Sequence, residues 1–328
     1  MKIDFVMPWV NGNDINWQAL RNRYCENPAT LDESRYREWD VLKYWFRAVE
    51  KYAPWVDKIH FVTCGQWPDW LNADHPKLRL VDHKDYIPKE YLPTFNSRTI
   101  ELNFHRIPDL AEHFVYFNDD MYLNAPVTPE DFFVNGLPCD RAVMQQIIPG
   151  TVCDPHIHAV CNIMALINTH FNKREVLKKN PWKWYNLKYG KGLVKSLVNT
   201  PGPQFSCFAN SHIPSSMRRS TFEEVWDLEQ AYLDAVCRNK FRTLGGVNQY
   251  IMSYYNLCKG TFVPRKASFG TCYSIGRNNN AMYRDIKTGR HKVICLNDHA
   301  DLKNFEEEKA KLIAVFQEAF PEKSTFER

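Results

Sequence analysis

Nowhere in the 328 residues is there a run approaching the roughly 18 to 20 consecutive apolar residues that cross a bilayer, and the most apolar stretch, Ala159 to Ile167, is broken by polar positions. That excludes a helical integral membrane protein. A strong charge of one sign is missing too: 42 Lys and Arg stand against 38 Asp and Glu, a net +4 that demands no nucleic acid and suits an anionic substrate or a loose association with an acidic membrane surface. No Gly-x-Gly-x-x-Gly fingerprint, Walker loop or Gly-x-Ser-x-Gly elbow is present, which weakens dehydrogenase, P-loop kinase and α/β-hydrolase readings. Internal repeats and low-complexity tracts are absent. A compact disulfide framework is lacking as well, because the ten Cys are dispersed and Cys64, Cys161, Cys258 and Cys295 sit in apolar runs where the thiol serves as a small hydrophobe. The start, Met1-Lys2-Ile3-Asp4-Phe5-Val6-Met7, sets an acid inside a strand-like run where a secretory leader would be basic and then apolar. Reduced thiols and a cytoplasmic location, at the inner face of the plasma membrane if membrane-associated, are the expectation.

What is present is apolar and aromatic. Hydrophobic residues make up 44%, with 10 Trp, 16 Tyr and 20 Phe, enough for a large core and too much for a disordered chain. The length corresponds to roughly two average domains, or to one α/β domain with insertions. Residues 2–7 read as a strand that runs into the polar turn Pro8 to Asp14. Apolar positions at Val41, Leu42, Trp45, Phe46 and Val49 predict a helix within Asp40–Tyr52, and Lys58–Cys64 reads as a second strand. Strand, helix and strand in that order indicate a parallel βαβ unit. Leu78–Val81, His113–Phe117, Ala142–Ile148 and Lys292–Leu296 are further strand candidates. Helices are predicted over Asn96–Arg106, Val160–Ile167, Phe222–Cys237, Val247–Leu257 and Leu302–Phe320. From about 171 to 211 the pattern loosens into a basic, aromatic segment, read as a boundary, an insertion or an acceptor loop.

Several constellations carry chemistry. Asn118-Asp119-Asp120 ends a buried strand, where ligands of open α/β sheets collect and where paired acids offer hard oxygens for Mg²⁺ or Mn²⁺ on a diphosphate; such pairs also form Asx-turns and helix caps. Glu101 and His105, four apart, share a helix face with Arg98 close by, either a charged wall or, as spacing alone favours, a solvated face with an ion pair. Ser211-His212-Ile213-Pro214 with Arg218, Arg219 and Arg242 places an imidazole among guanidiniums, a set suited to clamping a phosphoryl group and moving a proton. Cys153, His156, His158 and Cys161 crowd together as zinc ligands would, but no second ligand pair has the spacing of a zinc finger. Leu296-Asn297-Asp298 supplies another polar strand end.

Together these segments resemble the four conserved regions of the Stealth family, hexose-1-phosphate transferases that include bacterial capsule and cell-wall polysaccharide enzymes and the lysosomal-targeting N-acetylglucosamine phosphotransferase. Ile3 to Asp14 looks like the first region. Phe95 to Pro108, continuing through Phe117-Asn118-Asp119-Asp120 to Asp131-Phe132-Phe133, looks like the second. His212-Ile213-Pro214 with the downstream arginines looks like the third, and Cys295-Leu296-Asn297-Asp298 like the fourth. The resemblance implies that Asp119, Asp120, His212 and Arg242 lie at the reacting centre, with Asp119 and Asp120 holding the metal. It places Arg98, Glu101, His105, Arg219, Asn297 and Asp298 around them, and has Asn11 and Asp14 shape the nucleotide pocket. Arg218, Arg219 and Arg242 all remain candidates for the family's arginine role.

The implied fold is a Rossmann-like α/β nucleotide-sugar transferase core with a mostly parallel sheet, formed by residues 1–150 and 290–328, with a mainly helical acceptor-side subdomain over 155–260, all in one catalytic unit. The implied reaction moves a hexose or N-acetylhexosamine 1-phosphate from a UDP-sugar to a hydroxyl of a glycan acceptor, lipid-linked or free, with a divalent metal, leaving a phosphodiester and UMP. Either His212 or Asp120 takes the acceptor's proton. Two alternatives stand beside it: a metal-dependent glycosyltransferase that releases UDP, and a carbohydrate-binding module that releases nothing.

Overall fold

The computed structural model describes residues 1–25, 37–148, 154–276, 278–298, 302 and 304–328. Eight strands carry the architecture: β1 (Ile3–Pro8), β2 (Ile59–Thr63), β3 (Leu78–Asp82), β4 (His113–Tyr116), β5 (Met121–Leu123), β6 (Ser215–Arg218), β7 (Gly270–Ser274) and β8 (Val293–Asn297). The main helices are α1 (Ile15–Tyr24), α2 (Leu42–Tyr52), α3 (Ser97–Leu102), α4 (Pro155–His170), α5 (Lys191–Val198), α6 (Arg219–Cys237), α7 (Tyr250–Lys259), α8 (Asn280–Thr288) and α9 (Phe305–Ala319).

β1 and β2 are buried along almost their whole length, as strands covered on both faces must be, and their sequences are correspondingly close to continuously apolar. The exception in β1 is Asp4. Its carboxylate accepts the backbone N–H of Lys58 (3.1 Å) and of Ala111 (2.9 Å) and meets His60 Nε2 at 3.0 Å, so a buried acid is fully partnered. The central sheet runs β6-β4-β1-β2-β3, parallel throughout except for β6 against β4. This is the mostly parallel α/β sheet predicted, and α2 makes the first crossover. A second sheet, β7-β8-β5, mixes a parallel and an antiparallel pair.

Two apolar clusters share the central sheet. One gathers α2, α8, α9 and the second sheet around Trp45, which meets Phe117 edge-on at 5.4 Å; the other gathers α4, α6 and α7. The chain passes from β4 into β5 through Phe117-Asn118-Asp119-Asp120, so the acidic segment lies at the seam between the sheets. β6 runs back antiparallel, pairing Ser215 with Tyr116, which brings the preceding His212 to the same end of β4. Leu296 N–H donates to the Asp120 carbonyl (2.8 Å), drawing the end of β8 to that point as well.

Several expectations are corrected. The helix foreseen over Asn96–Arg106 stops at Leu102 and continues as a 3₁₀ turn, Phe104–Arg106, because the Asn103 side chain itself donates to the Thr99 carbonyl (2.8 Å). Of the strand foreseen over Ala142–Ile148 only Met144–Gln145 pairs, with Cys207–Phe208. The loosened segment is helical in pieces: Lys173–Lys179, Pro181–Trp184 and α5. Cys161 is exposed on α4 and not a core residue. The nine described Cys are free, and Cys153 lies outside the described residues; His156, His158 and Cys161 do not form a metal-holding group among those described.

Candidate active site

The strand ends enclose a cavity of about 330 Å³, within the range of small-ligand sites. Its aromatic wall is Trp9, after β1, and Trp39, ahead of α2. Its acids are Glu38, Asp119, Asp120 and Asp298, and Arg242 reaches it from the loop between α6 and α7. Trp39 Nε1 donates to Asp298 Oδ2 (3.2 Å) and Arg37 lies 3.5 Å from the same carboxylate.

Asp120 is the hub. Its Oδ2 accepts the Cys295 thiol (3.2 Å) and lies 3.4 Å from His212 Nε2, while its buried Oδ1 has no hydrogen-bond partner. The next residue back, Asp119, has its exposed surface towards the cavity, yet protein mass surrounds that opening. Desolvation, then the charges of Asp120 and Glu38, push its carboxyl up to about 7. Glu38 is likewise raised, chiefly by burial. Carboxylates crowded this way fit a divalent cation, whose charge would offset theirs alongside Arg37, Arg242 and His212.

His212 adopts a left-handed backbone conformation (φ +44°), uncommon outside glycine and costly enough to mark a constrained position. Its N–H donates to Asn210 Oδ1 (2.7 Å), which holds the turn. Nδ1 contacts Tyr250 Oη at 2.8 Å. Burial disfavours the charged ring, but the hydrogen bond to Asp120 and that residue's charge outweigh it and hold the imidazole above its ordinary value.

Beneath this layer Glu101 is buried, accepts Tyr116 Oη (3.1 Å) and is raised by desolvation; Tyr116 also donates to Asn118. Arg98 is buried too, and its fork donates to the carbonyls of Thr243 (2.7 Å) and Pro155 (2.6 Å). It clamps the loop bearing Arg242 to the start of α4, a positioning arrangement and not the solvated helix face favoured by spacing. Arg242 itself is exposed, with Nη2 donating to Ser97 Oγ (2.7 Å).

Asp119, Asp120, His212, Arg242, Asn297 and Asp298 are thus brought together. Four others are not. His105 packs between Phe222 and Trp226, and burial pushes it down to about 3. Arg219 follows the far end of β6, where Arg218 pairs with His113, and bridges to Glu223 on its own helix. Its antiparallel strand carries it away from the crevice. Asn11 and Asp14 lie one step outside the cavity wall, where Asp14 caps α1 and both are tied to Gln66. As the cap of α1, Asp14 has its carboxyl lowered first by the Trp17 N–H.

Glu38, Tyr250 and the thiol of Cys295 went unread as site residues. Tyr250 carries no local mark beyond a helical apolar pattern, and Cys295 looks like core. Cys272, beside Cys295 in parallel register, lies on a strand with no strong alternation.

Three family profiles match the chain: Stealth protein CR1, conserved region 1 (residues 1–27), CR2, conserved region 2 (35–139) and CR4, conserved region 4 (284–328). The capsular polysaccharide phosphotransferase WcwK of Streptococcus pneumoniae is 42% identical over 331 residues, covering 100% of this chain and 98% of its own. The chain belongs to the Stealth family. The exopolysaccharide phosphotransferase cps2G of Lactiplantibacillus plantarum is also 42% identical, over 99% of this chain and 96% of its own. Like these relatives, the Stealth chain is an enzyme of the phosphotransferase class. The galactosyltransferase LgtC, solved with donor and acceptor sugar analogues, overlays 98% of this chain and 96% of its own at 12% identity and a TM-score of 0.39. The profiles cover Asp119 and Asp120 in region 2 and Asn297 and Asp298 in region 4 of the Stealth chain, while His212 and Arg242 fall in the intervening 140–283.

Proposed function

We propose that this Stealth protein transfers a sugar-1-phosphate from a UDP-sugar to a hydroxyl of a glycan acceptor in polysaccharide synthesis, releasing UMP. The observation that carries the reading is the convergence of Asp119, Asp120, His212 and Arg242 at one strand-end cavity. Sugar binding alone needs no such charge set.

The acceptor oxygen attacks the β-phosphorus, a P–O bond to that oxygen forms, and the bond to the bridging oxygen of the α-phosphate breaks with its electron pair, so UMP departs. Such transfers rest on positioning and charge neutralisation. His212 takes the hydroxyl proton. When Nδ1 carries the ring hydrogen it donates to Tyr250 Oη, 2.8 Å away, and Nε2 presents its lone pair to the hydroxyl. Asp120, on the Nε2 side, then stabilises the imidazolium that results. Arg242, steered by Ser97, neutralises the transferring phosphoryl oxygens. Asp119 and the unpartnered Oδ1 of Asp120 are the oxygens that would hold Mg²⁺ or Mn²⁺. When bound, that ion offsets charge on the diphosphate.

The test incubates the chain with UDP-hexoses and UDP-N-acetylhexosamines, acceptor glycan and divalent metal, with and without chelator, and identifies the nucleotide released. UMP is the expected product, lost with chelator. Release of UDP would replace this reading with glycosyl transfer.

A further inference from the structure

Residues 173–199 hold eight Lys and Arg against a single acid, Glu175, in a chain whose total excess of positive charge is four. The segment is a basic island on an otherwise slightly acidic molecule. Arg174, Lys178, Lys179, Lys188, Lys191 and Lys195 are exposed, and none of them is in an ion pair among the described residues. Between these cations stand Trp182 (64% exposed), Leu187 (86%), Val194 (62%), Leu197 (54%) and Val198 (71%), an unusual concentration of large apolar side chains in water.

α5 explains how they come to be there, because it packs the reverse of a normal amphipathic helix. Its buried side is Gly192 and Ser196, one turn apart. Gly192 lies so close to Val143 that a Cβ would come within 2.9 Å of it, and Ser196 Oγ accepts the Met144 N–H at 3.1 Å. The smallest residues therefore face the protein, and Val194, Leu197 and Val198 face outward with Lys191 and Lys195. A helix on a globular surface normally buries its apolar stripe. Hydrogen bonds hold the segment in place: Lys173 Nζ joins its two ends by donating to the Asn199 carbonyl (2.7 Å), and Lys183 Nζ ties its middle to the carbonyls of Gly260 (2.7 Å) and Phe262 (2.8 Å).

We propose that this face docks on an anionic lipid surface, with Trp182, Leu187 and the outer side of α5 entering the headgroup boundary and the flanking cations contacting lipid phosphates. Exposed apolar groups and a tryptophan interspersed with lysines along one segment, with a single acid, complement a surface that is apolar at depth and uniformly negative at its rim. A folded protein partner would present mixed charges, for which this face carries no counterpart. The inference is independent of the reaction proposed above.

The experiment sediments the full chain with vesicles of phosphatidylcholine alone or mixed with phosphatidylglycerol, at low and high salt. Binding is expected only with the anionic lipid and should weaken as salt rises. Lys191→Ala with Lys195→Ala should weaken it by roughly thirtyfold, and Leu197→Ser with Val198→Ser should weaken it even at low salt. Lys287→Ala with Lys311→Ala, two cations elsewhere, should leave it unchanged. These positions are exposed, and thermal melts check that each variant remains folded. The proposal is overturned if the chain stays in the supernatant, binds both lipids equally, or binds undiminished after the patch substitutions. It is also overturned if the patch variants abolish self-association in vesicle-free sedimentation velocity, which would make the occupant a second copy of this chain.

Discussion

At the scale of single residues, His212 concentrates the chemistry: a strained backbone, a hydroxyl on one ring nitrogen and a carboxylate on the other. Replacing it with Ala should lower turnover by about 10²- to 10⁴-fold, the usual contribution of a positioned general base, while calorimetric binding of UDP-sugar stays near wild type. Unchanged turnover would remove His212 from the mechanism. His105 gives the opposite expectation. Burial, and then the charges of Arg106 and Arg219, push it down to about 3, whereas in the unfolded chain it titrates near its ordinary value. The unfolded state therefore binds a proton that the folded state refuses, and stability declines as pH falls below about 6.5, by about 1.4 kcal/mol per unit until about pH 3. His105→Phe keeps the stacking on Phe222 and Trp226 and removes this slope. Urea titrations at pH 8 and pH 5 should show the variant gaining about 2 kcal/mol on the wild type between the two conditions, with turnover unaltered. A collapse in turnover would return His105 to the catalytic crevice.

At the scale of elements, the clamp made by Arg98 joins α3, the start of α4 and the loop of Arg242. Lys cannot reproduce a fork that serves two carbonyls, so Arg98→Lys should lower kcat/KM by about 10²-fold through misplacement of Arg242. Because the effect passes through Arg242, the same change made on an Arg242→Ala background should cost little more. Additive losses in that double-mutant cycle would assign Arg98 a separate role. The clamp also shows what was legible in the sequence. β1, β2, β4 and β8 declared themselves as apolar runs ending in polar turns, and the acids at 119, 120 and 298 were visible as abrupt strand ends. Arg98 and Glu101 were visible as charges, but their burial was not, since helical spacing cannot say which face a later segment will cover. β5, β6 and β7 escaped notice because they are short or polar and form only through pairing with distant strands. The misassignment of Arg219 has the same origin: proximity to His212 in sequence counts for little once an antiparallel strand separates them.

At the scale of the whole molecule, one wall of the cavity depends on contacts made far from it. Val41 and Leu42, at the start of α2, and Leu312 of α9 line that wall. Along their length the two helices are joined by Tyr44 stacked on Phe316 (5.4 Å) and donating to Gln317 Oε1 (2.9 Å). Farther along, Arg47 donates to the Phe320 carbonyl (2.8 Å) and makes a two-pronged pair with Glu327 (2.7 Å for each bond), both side chains almost wholly buried. Removing one member of a buried pair leaves the other uncompensated, at a cost of about 3–5 kcal/mol. Glu327→Ala should accordingly lower the thermal midpoint by several degrees. Burial works against the Glu327 carboxylate, but the Arg47 hydrogen bond outweighs it and holds the group below its ordinary value. The stabilisation from the pair is thus present above about pH 4.5 and lost as pH falls through the lowered value, so the gap between variant and wild type should narrow on acidification. Since Val41, Leu42 and Leu312 touch the cavity and not the reacting groups, loosening the helix pair should raise KM for the donor before it lowers kcat. A variant that melts lower yet binds donor with unchanged KM would show that the wall holds its shape without this remote pair.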